Sequence, residues 1–175
     1  MGGLDPVLSL LSSNRKNIAK EAATIIGQMA SNNIKAQKNL HDKGAIKLLI
    51  EGLLKVELRP PMLYALGSII RNYKDGTQAA FKQGAHVLIY DFLRDGGSTL
   101  RLKKKAVNVL GDSGRFSHMW GEWLSMSLKG DGGQVFSGLL SNENAEDEEL
   151  HEKDSHISHH RLLTITLNPH HHLEA

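Results

Sequence analysis

One pattern recurs three times along this 175-residue chain. A glycine opens an aliphatic run, and a second helix-like run follows with a glycine of its own. The openings are Gly3 through Leu11, Gly44 through Leu54 and Gly84 through Leu93, and the later runs centre on Gly27, Gly67 and Gly111. Gly3 and Gly44 are 41 positions apart, Gly44 and Gly84 are 40, Gly27 and Gly67 are 40, and Gly67 and Gly111 are 44. Helical repeats with a period of roughly 40 to 47 residues belong to armadillo and HEAT-type solenoids. Such units bury their apolar faces by stacking on one another and leave an extended surface for partners.

Apolar spacing within the repeats is helical. Ile18, Ala22, Ile25 and Met29 share one stripe, predicted to face the core; so do Leu63, Leu66 and Ile70, and again Leu102, Ala106, Val109 and Leu110. Arg59-Pro60-Pro61 marks a helix start, because proline suits a first turn and disfavours helix just before it. Asn32-Asn33 and Asn72 stand where the long helices should end, and Asp95-Gly96-Gly97-Ser98 reads as a turn. A short helix is predicted before the second and third openings, Ala36-Gln37 with Leu40 and Thr77-Gln78 with Phe81. Each pairs a glutamine with an apolar residue three positions later. Three helices per unit is the armadillo arrangement. The fold expected is therefore all-α: an armadillo-like α-solenoid of about two and a half to three repeats with a disordered C-terminal tail. In-helix glycines at 27, 67 and 111 are expected to permit close approach between stacked helices.

An aromatic content of 5% fits aliphatic helix stacking, and the absence of cysteine excludes disulfides, thiolate zinc sites and cysteine nucleophiles. No stretch approaches about 18 consecutive apolar residues, the length a membrane helix needs. The net charge of +2 hides an asymmetry. Residues 1–140 carry 19 Lys/Arg and 11 Asp/Glu, whereas residues 141–175 carry 2 and 8. Three segments follow: 1–112 as repeats, 113–140 as an atypical cap with a helix near 115–128, and 141–175 as an acidic, His-rich tail too polar to bury a core. The start lacks a secretory signal and begins almost on an interior repeat helix, so a fragment or shortened isoform is expected.

The third helix of each armadillo unit lines the binding face, and its outward positions stack by register. One column is Thr24, Tyr64 and Asn108, and another is Gln28, Ser68 and Asp112; Ser31, Arg71, Asn72 and Lys104 lie beside them. They form a candidate polar groove for a protein partner.

Other chemistries fit poorly. Gly111-Asp112-Ser113-Gly114 spells the surroundings of a trypsin-like nucleophile, yet that chemistry needs a positioned His–Asp pair and an oxyanion hole on an all-β frame. Neither phosphate-loop nor dinucleotide signatures occur. His151, His156, His159, His160 and His170–His172 invite a metal, but no pair sits in a rigid frame. Lys103-Lys104-Lys105 is a short basic run without interleaved aromatics, which weighs against nucleic acid.

Asn32-Asn33-Ile34-Lys35-Ala36-Gln37, Lys43 through Leu49, Leu63-Tyr64-Ala65-Leu66-Gly67-Ser68-Ile69-Ile70-Arg71-Asn72 and Leu100 through Val107 together resemble the armadillo-type nucleotide-exchange factors of heat shock protein 70 chaperones. The resemblance covers roughly residues 3–112, and 113–175 fall outside it. It implies a non-enzymatic co-chaperone without cofactor or metal, whose repeat face grips the chaperone's ATPase domain and favours ADP release. By position, the contacts would be Thr24, Gln28, Tyr64, Ser68, Arg71, Asn72, Lys104, Asn108 and Asp112. The family has a cytosolic and an endoplasmic-reticulum branch, so the cytoplasm is expected, with the reticulum lumen as alternative for a fragment. The competing reading is a generic armadillo adaptor without exchange activity. Here, however, Asn32, Asn72 and Asn108 do not form the single-register ladder that peptide-binding armadillo proteins use.

Overall fold

Long helices recur along the chain with shorter ones between them. The computed structural model describes residues 3–116 together with 121–122 and 125–126. In order these are α1 (Leu4–Leu10), α2 (Lys16–Ala30), α3 (Ile34–Asp42), α4 (Ala45–Leu53), a 3-10 turn at Val56–Leu58, α5 (Arg59–Ile70), α6 (Lys74–Lys82), α7 (Ala85–Arg94) and α8 (Leu100–Phe116). The described residues are helical and contain no strand. Helices α3, α4 and α5 make one complete three-helix repeat, preceded by the pair α1–α2 and followed in sequence by α6, α7 and α8. The chain forms two compact units, residues 1–88 and residues 89–175.

Backbone chemistry sets the punctuation. Asn32 and Asn72 adopt φ of 52° and 57° directly after α2 and α5, a left-handed conformation that asparagine tolerates better than most residues. Gly44 and Gly84 adopt φ of 77° and 78°. A Cβ at either would touch nothing, so conformation and not space selects glycine there. The supposed counterpart, Gly3, is right-handed with φ −73° and does not share this role. Pro60 and Pro61 occupy the first turn of α5, where missing N–H groups cost nothing. Asn33 caps α3 by accepting the Ala36 N–H at 3.1 Å.

In the first unit α5 is the most enclosed helix. It packs against α2, α3, α4 and α6, and Met62, Leu63, Ala65, Leu66, Gly67, Ile69 and Ile70 are buried. Leu63, Leu66 and Ile70 thus face inward as predicted. The carbonyls that end α5 are also satisfied. Gln37 Nε2 donates to the carbonyls of Ser68 at 2.8 Å and Arg71 at 2.9 Å, and the Thr77 hydroxyl donates to that of Ile70 at 2.9 Å. Orphan carbonyls of a buried helix end would otherwise carry a desolvation cost. This corrects the register of the short helices. Gln37 corresponds to Thr77 and Leu40 to Ala80, all four buried, while Gln78 and Phe81 are half-buried.

The stripe predicted for α2 is corrected too. Ile25 and Met29 are 42% and 40% exposed, and Ile18 is half-buried. The buried face is instead Ala19, Ala22, Ala23, Ile26, Gly27 and Ala30. Both sets have helical spacing. Small side chains let the alanine face approach its neighbours closely, so it wins the core despite fewer carbons.

In the second unit, α7 contributes buried Ile89, Phe92 and Leu93. Asp95 then closes the predicted turn. Its Oδ1 accepts the Gly97 N–H at 2.9 Å and its Oδ2 accepts the Ser98 hydroxyl at 3.1 Å. Leu102, Ala106, Val109 and Leu110 are buried along α8 as expected. The helix continues through Gly111 to Phe116. The cap assigned to 113–140 beyond that point and the tail 141–175 lie outside the described residues, apart from 121–122 and 125–126.

Candidate partner-binding surface

Gly27 decides how the two long helices of the first unit meet. A Cβ built there would lie 2.4 Å from a ring carbon of Tyr64, closer than side-chain carbons pack. The Tyr64 ring therefore lies across the bare backbone of α2, as the in-helix glycine predicts. Gly52 on α4 receives Met62 of α5 in the same way, since a Cβ built there would lie 2.7 Å from the sulfur, a contact the sequence reading missed. Gly67 and Gly111 are both buried.

Six of the candidate residues lie on the two helices that make this contact or just past the end of α5. Thr24 and Gln28 are one turn apart on α2, and Thr24 shares a face with Gly27. Tyr64 is 36% exposed above that glycine, which sets its ring beside the Thr24–Gln28 stripe. Ser68 and Arg71 continue the Tyr64 stripe toward the end of α5, with steps of four and three residues. Gln28, Arg71 and Asn72 are exposed; Thr24 and Ser68 are half-buried. The Thr24 hydroxyl donates back to the Lys20 carbonyl at 3.0 Å. Arg71 serves the helix end with its backbone and leaves its side chain exposed. Asn72 is the left-handed terminator of α5, so its identity already has a structural reason.

Lys104, Asn108 and Asp112 belong to the second unit. Steps of four residues align them along α8, and all three are half-buried. They form one stripe, opposite buried Leu102, Ala106 and Val109.

A polar support behind α5 escaped the sequence reading. His41 Nδ1 and the Tyr73 hydroxyl are 3.1 Å apart, with their rings edge to face at 5.8 Å. Burial, with Asp75 nearby, pushes the Tyr73 hydroxyl above its usual range. Tyr73 also packs on Gly76, where a Cβ would come within 2.5 Å of the ring. With Gln37 and Thr77, these side chains hold the end of α5 that carries Arg71. Polar residues forty apart, Gln37 and Thr77, were the available signal.

The rival chemistries find little support. Ser113 is buried inside α8, with no hydrogen-bond partner for its hydroxyl among the described residues. Among the described residues no group of three or more His, Asp or Glu is placed to hold a metal; the histidines of the tail lie outside them. No described helix is long and apolar enough to cross a membrane.

Known proteins resemble this chain over the repeat region. The chain resembles the Hsp70 nucleotide exchange factor FES1 of Saccharomyces cerevisiae, 30% identical over 112 residues, covering 61% of this chain and 39% of that protein. The Hsp70 nucleotide exchange factor FES1 of Eremothecium gossypii is 29% identical over 111 residues, covering 60% and 38%. The chain thus spans about two-fifths of the length of these relatives. Among solved structures, two engineered proteins of the Northeast Structural Genomics Consortium share the fold. One has a TM-score of 0.65 at 20% identity, over 79% of this chain and 60% of its own. Another has 0.64 at 21%, over 79% and 61%. Residues 1–113, essentially the whole repeat region, match the description of one family. The chain belongs to the SIL1/FES1/HPBP1 C-terminal domain family.

Proposed function

We propose that this protein is a co-chaperone that binds the ATPase domain of a heat shock protein 70 chaperone and promotes ADP release. It acts as a nucleotide-exchange factor and not as an enzyme. The observation that carries this reading is the family match across residues 1–113, a family whose curated relatives include proteins named as Hsp70 nucleotide exchange factors. The proposed contacts are Thr24, Gln28, Tyr64, Ser68, Arg71 and Asn72 on the α2–α5 face, with Lys104, Asn108 and Asp112 on α8. Tyrosine and arginine are the residue types that most often dominate binding energy at interfaces, which puts Tyr64 and Arg71 first among them. The proposed compartment is the cytoplasm, with the endoplasmic-reticulum lumen as the alternative.

The physical requirement is differential affinity. A factor that grips the ATPase domain equally well with its cleft open or closed shifts nothing, however tightly it binds. Exchange therefore demands a face that fits the open arrangement better. A rigid face suits that task, and the Gly27–Tyr64 contact together with the Gln37 and Thr77 supports fixes α5 against its neighbours.

Because the chain spans 38–39% of those relatives, an adaptor that binds without driving exchange is the second reading. A chaperone preloaded with fluorescent ADP distinguishes them. Faster ADP loss on adding the protein supports exchange activity. Binding with an unchanged release rate, or no binding at large excess, overturns exchange activity and leaves the generic adaptor.

A further inference from the structure

The same dipeptide stands in two opposite settings. Asp75-Gly76 lies inside α6, whereas Asp95-Gly96 lies between the end of α7 and the start of α8. A further copy, Asp131-Gly132, lies outside the described residues. An aspartate followed by glycine is open to attack by the next peptide nitrogen on its own side-chain carboxyl, because glycine places no side chain beside that nitrogen. The backbone then decides whether the attack occurs. The product ring is five-membered and nearly planar, so the aspartate Cβ has to turn onto the side of the following nitrogen.

Inside α6 that rotation is blocked. A helical backbone holds Cβ tilted toward the N-terminus, away from the nitrogen that follows. Gly76 is also buried, and the Tyr73 ring lies so close that a Cβ there would come within 2.5 Å of it. Reaction at Asp75 therefore waits for local opening of the helix.

Neither restraint acts on the second pair. Gly96 and Gly97 are exposed, and a Cβ built at Gly96 would meet nothing within 4 Å. The Asp95 carboxyl is folded back onto the turn that follows it: Oδ1 accepts the Gly97 N–H at 2.9 Å, and Oδ2 accepts the Ser98 hydroxyl at 3.1 Å. We propose that Asp95 is a site of spontaneous isoaspartate formation. The Gly96 nitrogen bonds to Cγ of the protonated carboxyl, and one carboxyl oxygen leaves with the Gly96 amide proton as water, which closes a succinimide. Water then opens the ring at the former backbone carbonyl. The main chain now runs through Cβ and Cγ, and the old carbonyl carbon becomes a free carboxylate. No oxidant or cofactor takes part, and the mass is unchanged.

This isomer lengthens the link from α7 to α8 by one backbone atom and removes the carboxyl that Gly97 and Ser98 hold. Helix α8 carries Lys104, Asn108 and Asp112, so the change falls at the entry to that stripe. The inference rests on the turn alone and stands independently of the exchange activity proposed above.

The full-length protein is kept at physiological temperature and pH and sampled over weeks. Peptides bearing residues 75 and 95 are then separated from their equal-mass isomers by chromatography. The isomer at Asp95 is expected to accumulate at least about tenfold faster than that at Asp75, and the two rates should converge in denaturant, where both pairs lose their settings. Gly96→Val, which shields the nitrogen where a side chain has room, should slow Asp95 several-fold and leave Asp75 unchanged. Isomerisation at Asp95 no faster than at Asp75 in the folded protein, a gap that persists in denaturant, or an undiminished rate in Gly96→Val overturns the proposal.

Discussion

Helices α2 and α5 hold the same place in successive repeats, 40 residues apart, yet they meet their surroundings differently. On α5, Ala65 and Ile69 are fully buried; at the matching positions of α2, Ile25 and Met29 are 42% and 40% exposed. The sequence pattern is nearly the same in both helices and the same face is buried in each, Ala22, Ala23, Ile26 and Ala30 matching Met62, Leu63, Leu66 and Ile70, so the pattern does not set whether the positions beside that face are covered as well. The neighbours do. Helix α5 lies among α2, α3, α4 and α6, whereas α2 meets α1, α3, α5 and the 3-10 turn. Burial in a repeat protein is thus a property of position in the stack, since each unit is completed by the next.

The largest expected effect tests that contrast in stability. Leu66→Ala on α5 removes a fully buried side chain and should cost about 2–5 kcal/mol. Ile25→Ala on α2 should cost under about 1 kcal/mol, because its side chain is already partly in water. Denaturant unfolding measures both, and equal losses would break the comparison.

A smaller effect sharpens how the two helices meet. Gly27→Ala gains about 1 kcal/mol of helix propensity but drives a methyl group into the Tyr64 ring. Overpacking of this kind costs about 1–3 kcal/mol, so a net loss is expected. In a double-mutant cycle with Tyr64→Ala, the Gly27→Ala penalty should vanish or reverse. Additive losses would show that the ring does not rest on Gly27.

The smallest effect compares the two helix openings. His86 is buried where the preceding repeat has Ile46, also buried, and its ring stacks on Phe81 at 3.9 Å. Burial holds the His86 imidazole below its usual 6.5, so the folded state favours the neutral ring. Its contribution to stability is therefore complete above about pH 6.5 and declines as acid protonates the unfolded chain preferentially. His86→Ile, which copies the other repeat, should flatten the stability profile below pH 6.5. A wild-type-like acid dependence in that variant would assign the effect elsewhere.

These contrasts also mark what was legible in the sequence. Asn32, Asn72, Pro60-Pro61 and Asp95-Gly96-Gly97-Ser98 announce their boundaries because each has a backbone requirement that few other residues meet. The three-helix unit was readable for the same reason. The inward face of α2 was not, since two overlapping residue sets both have helical spacing and only the neighbours choose between them. Gln37 and Thr77 differ chemically, and their shared work on the carbonyls of α5 emerges only once the helices are placed. The polar positions of the candidate face follow from register alone. The double role of Tyr64, packed on Gly27 yet 36% exposed, needed coordinates.

The most direct test of the proposed activity joins this surface to exchange. ADP release from a heat shock protein 70 chaperone is measured with wild-type protein and with Arg71→Ala, which keeps the backbone carbonyl that Gln37 caps. The account predicts acceleration by the wild type and roughly tenfold weaker half-maximal action for the variant, as loss of an interface arginine worth about 1.4 kcal/mol would give. Acceleration by both proteins at the same concentrations would contradict the assignment of this face, and acceleration by neither would contradict the exchange activity itself.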